Sequence, residues 1–115
     1  MLFEVGVSHR EGWVVIAVTG ELDVATAPRL RQEAIRVVAE GNHRLVIDLG
    51  GVDFLDSTGL GVIIGILKRV RSHSGELTVV GLTPKVRKVF EVTRVLEILP
   101  IFDTVDDAMA GAGSG

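Results

Sequence analysis

Residues 13–19, W-V-V-I-A-V-T, carry no charge and are almost all β-branched or aromatic. A run of that kind is expected of a strand covered on both faces, and it limits what can be packed around it. Upstream, residues 2–8 alternate Phe3, Val5 and Val7 against Leu2, Glu4 and Gly6, the pattern of a strand with one mostly buried face. Arg10-Glu11-Gly12 between them is a tight turn, so the two strands form an antiparallel hairpin.

From Ala27 the period becomes helical. Ala27, Leu30, Ala34, Val37 and Val38 fall on one stripe, with Arg29, Arg31, Gln32, Glu33 and Arg36 outside it. Asp23 or Thr26 can cap this helix, Pro28 is tolerated in its first turn, and Gly41 stops it. Residues 45–49 (L-V-I-D-L) are the next buried strand, and a strand-helix-strand unit with short joints makes the two strands parallel. Residues 50–56 then suggest a loop, and residues 59–72 a helix with Leu60, Ile63, Ile64, Leu67 and Val70 on one face.

After the Ser74-Gly75 break, residues 77–80 are a fourth strand. Thr83-Pro84 opens a short helix through Val86, Val89 and Phe90. Residues 96–102 hold a last short strand and residues 104–110 a last helical turn or two. The expected order is β-β-α-β-α-β-α-β-α. This is an α/β fold with a mostly parallel sheet and an antiparallel N-terminal edge strand. It makes one domain over residues 1–110, followed by a Gly-rich flexible tail over 111–115.

Composition removes several classes of function. A length of 115 residues suits a single domain able to bury its own core, and the absence of cysteine excludes a disulfide scaffold, a thiolate zinc site and a cysteine nucleophile. Lys+Arg 12 against Asp+Glu 15 gives a net charge of −3, which argues against a nucleic-acid partner. No segment approaches the ~18 apolar residues of a membrane span, so no direct membrane insertion is expected. The first residues lack the basic and apolar regions of a secretion signal, so a cytoplasmic location is expected.

In an open α/β sheet, function collects where the parallel strands end at their carboxyl edge. Two stretches meet that description: Gly20-Glu21-Leu22-Asp23, and Asp53-Phe54-Leu55-Asp56-Ser57-Thr58-Gly59. Asp23, Asp56, Ser57 and Thr58 then either cap helices or gather into one polar cluster. With Leu60, Ile64 and Leu67 toward the core, Thr58, Gly61, Val62, Gly65 and Arg69 point outward, with Ile66 on the flank. Two glycines in an exposed helix interior cost ~0.8–1 kcal/mol each relative to alanine. They mark either a smooth docking face or a helix lying close on its sheet.

Enzymatic readings fit poorly, and none is expected. Ser57 is not in a G-x-S-x-G elbow, because Leu55 stands two residues upstream. His9, His43 and His73 sit beside turns or a helix end, away from this edge, and the carboxylates offer no spaced metal-ligand set. The G-L-G-V-I-I-G run at residues 59–65 has one residue too many for a dinucleotide fingerprint and follows the wrong strand. A phospho-aspartate receiver would need an acidic pair after its first strand, which residues 2–10 lack. No cofactor and no metal are expected.

The stretches G-E-L-D at residues 20–23, V-I-D-L at 46–49 and F-L-D-S-T-G-L-G-V at 54–62 resemble those of bacterial anti-sigma factor antagonists, which are single STAS domains. The resemblance continues through Gly75-Glu76-Leu77, P-K-V-R-K-V-F at 84–90 and Ile98-Leu99, and D-S-T-G-L-G-V is its most specific part. It implies a STAS-type fold of the order given above. It also implies that the dephosphorylated protein binds an anti-sigma factor that is an ATP-dependent serine kinase, thereby freeing a sigma factor. Phosphorylation at the position of Ser57, with Thr58 as second choice, breaks that complex, and a PP2C-type phosphatase resets it. The implied partner surface comprises Glu21, Asp23, Asp56, Ser57, Thr58, Gly61, Val62, Gly65 and Arg69. STAS domains also serve as stressosome-type scaffolds, as lipid-transport subunits and as the ends of anion transporters; the last reading lacks its membrane part here.

Overall fold

The computed structural model of the chain describes residues 2–111. Its strands are β1 (Glu4–Arg10), β2 (Trp13–Leu22), β3 (Arg44–Leu55), β4 (Glu76–Val80) and β5 (Ile101–Phe102). Its helices are α1 (Ala27–Ala39), α2 (Ser57–Arg71), α3 (Pro84–Val92) and α4 (Val105–Gly111), with a 3-10 turn at Val95–Glu97. The strands lie side by side in the order β1-β2-β3-β4-β5. β1 runs antiparallel to β2, and the remaining neighbours are parallel. The expected class, an α/β sheet with an antiparallel N-terminal edge strand, is the one observed.

The hairpin follows from its turn. Glu11 (φ 52°) and Gly12 (φ 86°) are both left-handed, the two-residue geometry that matches strand twist, and Arg10 pairs with Trp13 across it. Because the strands run in sequence order, right-handed crossovers stack successive helices on one side. Val14, Ile16 and Val18 of β2 and Leu45, Ile47 and Leu49 of β3 share a core with Leu30, Val37, Ile63, Leu67 and Phe90 of α1, α2 and α3. The opposite residues Trp13, Val15, Val46 and Val80 are covered by Ala108 of α4.

Double cover extends only over the first four residues of β2, after which burial alternates. The short α4, of 7 residues, packs on the Trp13–Val15 end of β2, and Ala17 and Thr19 beyond it are exposed.

Several expected boundaries move. β1 begins at Glu4, and the last strand shrinks to two residues behind the 3-10 turn. Gly20-Glu21-Leu22 and residues 50–55, expected as loops, are strand: Glu21 pairs with Phe54 and Leu22 with Leu55. Opposite Ala17–Thr19 and Gly20–Glu21, β3 carries an extra residue each time, which breaks the alternation that would have revealed its continuation over 50–55. α2 starts at Ser57, two residues before the expected start. Gly111 closes α4, and the rest of the expected tail, 112–115, lies outside the described residues. Among the described residues, no helix is long and apolar enough to cross a membrane.

Candidate functional site

With β2 and β3 running on to Leu22 and Leu55, their next residues are Asp23, in the turn before α1, and Asp56, the N-cap of α2. Asp56 is extended (φ −104°, ψ −174°), and its Oδ1 accepts from the Gly59 N–H at 3.0 Å. Its own N–H donates to the Leu22 carbonyl at 3.3 Å, tying the start of α2 to the end of β2. Asp23 Oδ1 accepts from the N–H groups of Ala25 (2.9 Å) and Thr26 (3.1 Å). Thr26 occupies the N-cap position of α1, but its hydroxyl donates to the Glu21 carbonyl at 2.7 Å and caps nothing. Asp56 therefore caps α2, whereas Asp23 braces the turn that leads into α1, whose own N-cap residue supplies no side-chain bond.

Ser57 and Thr58 are the first two residues of α2, and both are exposed. Neither hydroxyl has a hydrogen-bond partner among the described residues. Glu21 is exposed beside them, and Asp23 and Asp56 are half-buried. Two apolar side chains that the sequence did not single out as site residues are also uncovered. Val24 is 71% exposed and Phe54 39%, the latter with the Lys85 ammonium 5.9 Å from its ring centre.

The glycines of α2 divide into two kinds. A Cβ at Gly59 would lie 2.7 Å from the Leu22 carbonyl oxygen and 2.9 Å from Leu22 Cγ, whereas at Gly61 and Gly65 it would meet nothing within 4 Å. Close approach of helix to sheet is thus the role of Gly59, and the packing alternative for Gly61 and Gly65 is excluded. Opposite effects are expected on stability. Gly59→Ala must push against backbone, at ~1–3 kcal/mol for overpacking, while first-turn placement limits the helix-propensity gain, for a net loss of ~1–2 kcal/mol. Gly61→Ala should stabilise by ~0.8–1 kcal/mol. Denaturant unfolding of the two variants distinguishes them; a stabilised Gly59→Ala would contradict the close contact.

The buried stripe of α2 is Gly59, Leu60, Ile63, Ile66, Leu67 and Val70. The expected wheel was rotated: Ile66 is 3% exposed and Ile64 only half-buried, because α1 packs on the side where Ile66 points. Between α1 and α2 runs a groove of about 290 Å³ lined by Arg31, Ile35, Thr58, Gly61, Val62, Gly65, Ile66 and Arg69. It gathers five of the residues expected on the docking face, while Glu21, Asp23, Asp56 and Ser57 stand at the sheet edge next to its Thr58 end. Arg31 and Ile35 escaped sequence reasoning because they belong to the neighbouring helix, and only the structure sets α1 beside α2. His43 and His73 stack with ring centres 4.4 Å apart, at the start of β3 and beyond the end of α2.

The five-stranded sheet with three helices on one face thus presents an exposed serine, directly after the capping Asp56, where β3 meets α2. Residues 4–108 match the STAS domain family, and the chain belongs to it. It is 35% identical over 100 residues to BtrV of Bordetella bronchiseptica, covering 87% of this chain and 86% of that one. It is 28% identical to the anti-sigma F factor antagonist of Paenibacillus polymyxa over 95% of this chain and 94% of that one. The crystal structure of an anti-sigma factor antagonist from Mycobacterium paratuberculosis superposes with a TM-score of 0.87 at 34% identity, covering 95% of this chain and 92% of that one.

Proposed function

We propose that this chain is an anti-sigma factor antagonist that acts by docking and performs no catalysis of its own. In its dephosphorylated form it binds an anti-sigma factor that is also a serine kinase, and the sigma factor is released. The kinase transfers phosphate to Ser57, the complex separates, and a PP2C-type phosphatase restores the binding form. The observation that carries this reading is the Ser57 hydroxyl: exposed, without a partner among the described residues, first in α2 and next to Thr58 at the end of the groove.

The physics of the switch follows from that position. Phosphate adds about −1.5 to −2 charges. At a helix N-terminus the first-turn N–H groups and the helix dipole accommodate such charge, so the folded domain tolerates it. Within an interface, beside Asp23 and Asp56, the same charge repels and must lose its water. The switch therefore acts on association and leaves the fold alone.

Incubation with the cognate kinase and ATP, followed by mass-spectrometric mapping, tests the acceptor. Phosphate is expected on Ser57. Modification of Thr58 alone, with Ser57 untouched, would overturn the assignment.

A further inference from the structure

Seven of the nine arginines in the chain reach a carboxylate or a backbone carbonyl. Arg36, for example, pairs with Glu33 and Glu40, and Arg44 with Glu76. The two with no partner among the described residues are Arg31 and Arg69, and both line the groove between α1 and α2. They stand on opposite walls, Arg31 on α1 and Arg69 on α2. Between them lies a low floor, where Gly61 and Gly65 present no side chain and the half-buried Ile35 and Val62 supply the apolar contact surface.

We propose that this groove takes an amphipathic helix of the anti-sigma partner whose apolar stripe is flanked on both sides by carboxylates, which meet the guanidiniums of Arg31 and Arg69. This inference rests on the reading given under Proposed function and adds the chemistry of the partner's contact. Arginine pairs with carboxylate through two parallel hydrogen bonds, so a guanidinium on each wall fixes both the charge and the rotation of the incoming helix. The glycine floor lets that helix approach closely, the usual requirement of a helix seated in a groove. A partner with lysines or arginines in the same places would meet two uncompensated like charges, so the pair also rejects wrong partners.

The test uses the full chain and the purified anti-sigma factor kinase that phosphorylates Ser57, immobilised for surface plasmon resonance. Arg31→Glu and Arg69→Glu are each expected to weaken binding tenfold or more, about 1.4 kcal/mol, mostly through a slower on-rate. Wild-type binding should weaken as salt is raised, whereas the double reversal, with like charges facing the partner's carboxylates, should lose or invert that dependence. Arg69 lies in the last turn of α2, where positive charge favours the helix, so Arg69→Gln is run alongside with a thermal melt to separate folding from docking. Reversals that bind as tightly as wild type would overturn the inference and leave the proposed function intact. A wild-type chain that fails to bind the kinase overturns the proposed function and the inference with it. Self-association by sedimentation that the reversals abolish would identify a second copy as the occupant and also overturn it.

Discussion

Ser57→Asp should abolish kinase binding while leaving the melting temperature unchanged or slightly raised. The wild-type hydroxyl is exposed and has no hydrogen-bond partner among the described residues, so its removal costs the fold little. A carboxylate in the first turn of α2 gains ~0.3–1 kcal/mol from the helix N-terminus, offset in part by its neighbour Asp56. At the interface the sign reverses. A negative charge added beside two half-buried aspartates must be desolvated against the partner, and a loss of ~3 kcal/mol already exceeds a hundredfold in affinity. A pull-down and a thermal melt on the same variant decide the matter. A melting temperature lowered by many degrees would show that charge at this position acts by unfolding.

The second large effect is expected at the groove floor. Gly65→Gln should raise the stability of the free domain by several tenths of a kcal/mol, because a side chain there enters open space and glutamine is the better helix former. Partner affinity should nevertheless fall tenfold or more, about 1.4 kcal/mol, since an interface packed to interior density has no room for the added side chain. The two measurements move in opposite directions, which no account based on misfolding reproduces. A stable Gly65→Gln variant that binds as tightly as wild type would remove this face from the interface.

Most of the fold was legible because its signals are local. The apolar run at residues 13–19 and the stripe Ala27-Leu30-Ala34-Val37-Val38 mark a strand and a helix without reference to anything else, and the Thr83-Pro84 cap marks a third element. The features that were hidden depend on contacts across the chain. β3 continues to Leu55 because Glu21 and Leu22 pair with Phe54 and Leu55, and bulges had erased the alternation that would have announced it. α2 is rotated so that Ile66 is buried because α1 lies on that side, which the pattern of α2 alone does not contain.

The site divides along the same line. Asp56 was a cap candidate from its residue type, whereas Ser57 as acceptor came from the D-S-T-G-L-G-V resemblance, and the start of α2 had been expected two residues later. Whether Gly61 and Gly65 faced the sheet or open space was undecided until their surroundings were known, and the assignment of close packing to Gly59 needed the position of Leu22. Arg31 and Ile35 became part of the surface only when α1 was set beside α2.

The central claim is that phosphate on Ser57 controls docking without disturbing the fold. Its most direct measurement is isothermal titration of the kinase with two preparations of this chain, one stoichiometrically phosphorylated and one treated with a PP2C-type phosphatase. The treated chain is expected to bind, and the phosphorylated chain to bind more than a hundredfold more weakly with an unchanged thermal melt. Equal affinities for the two preparations would contradict the account.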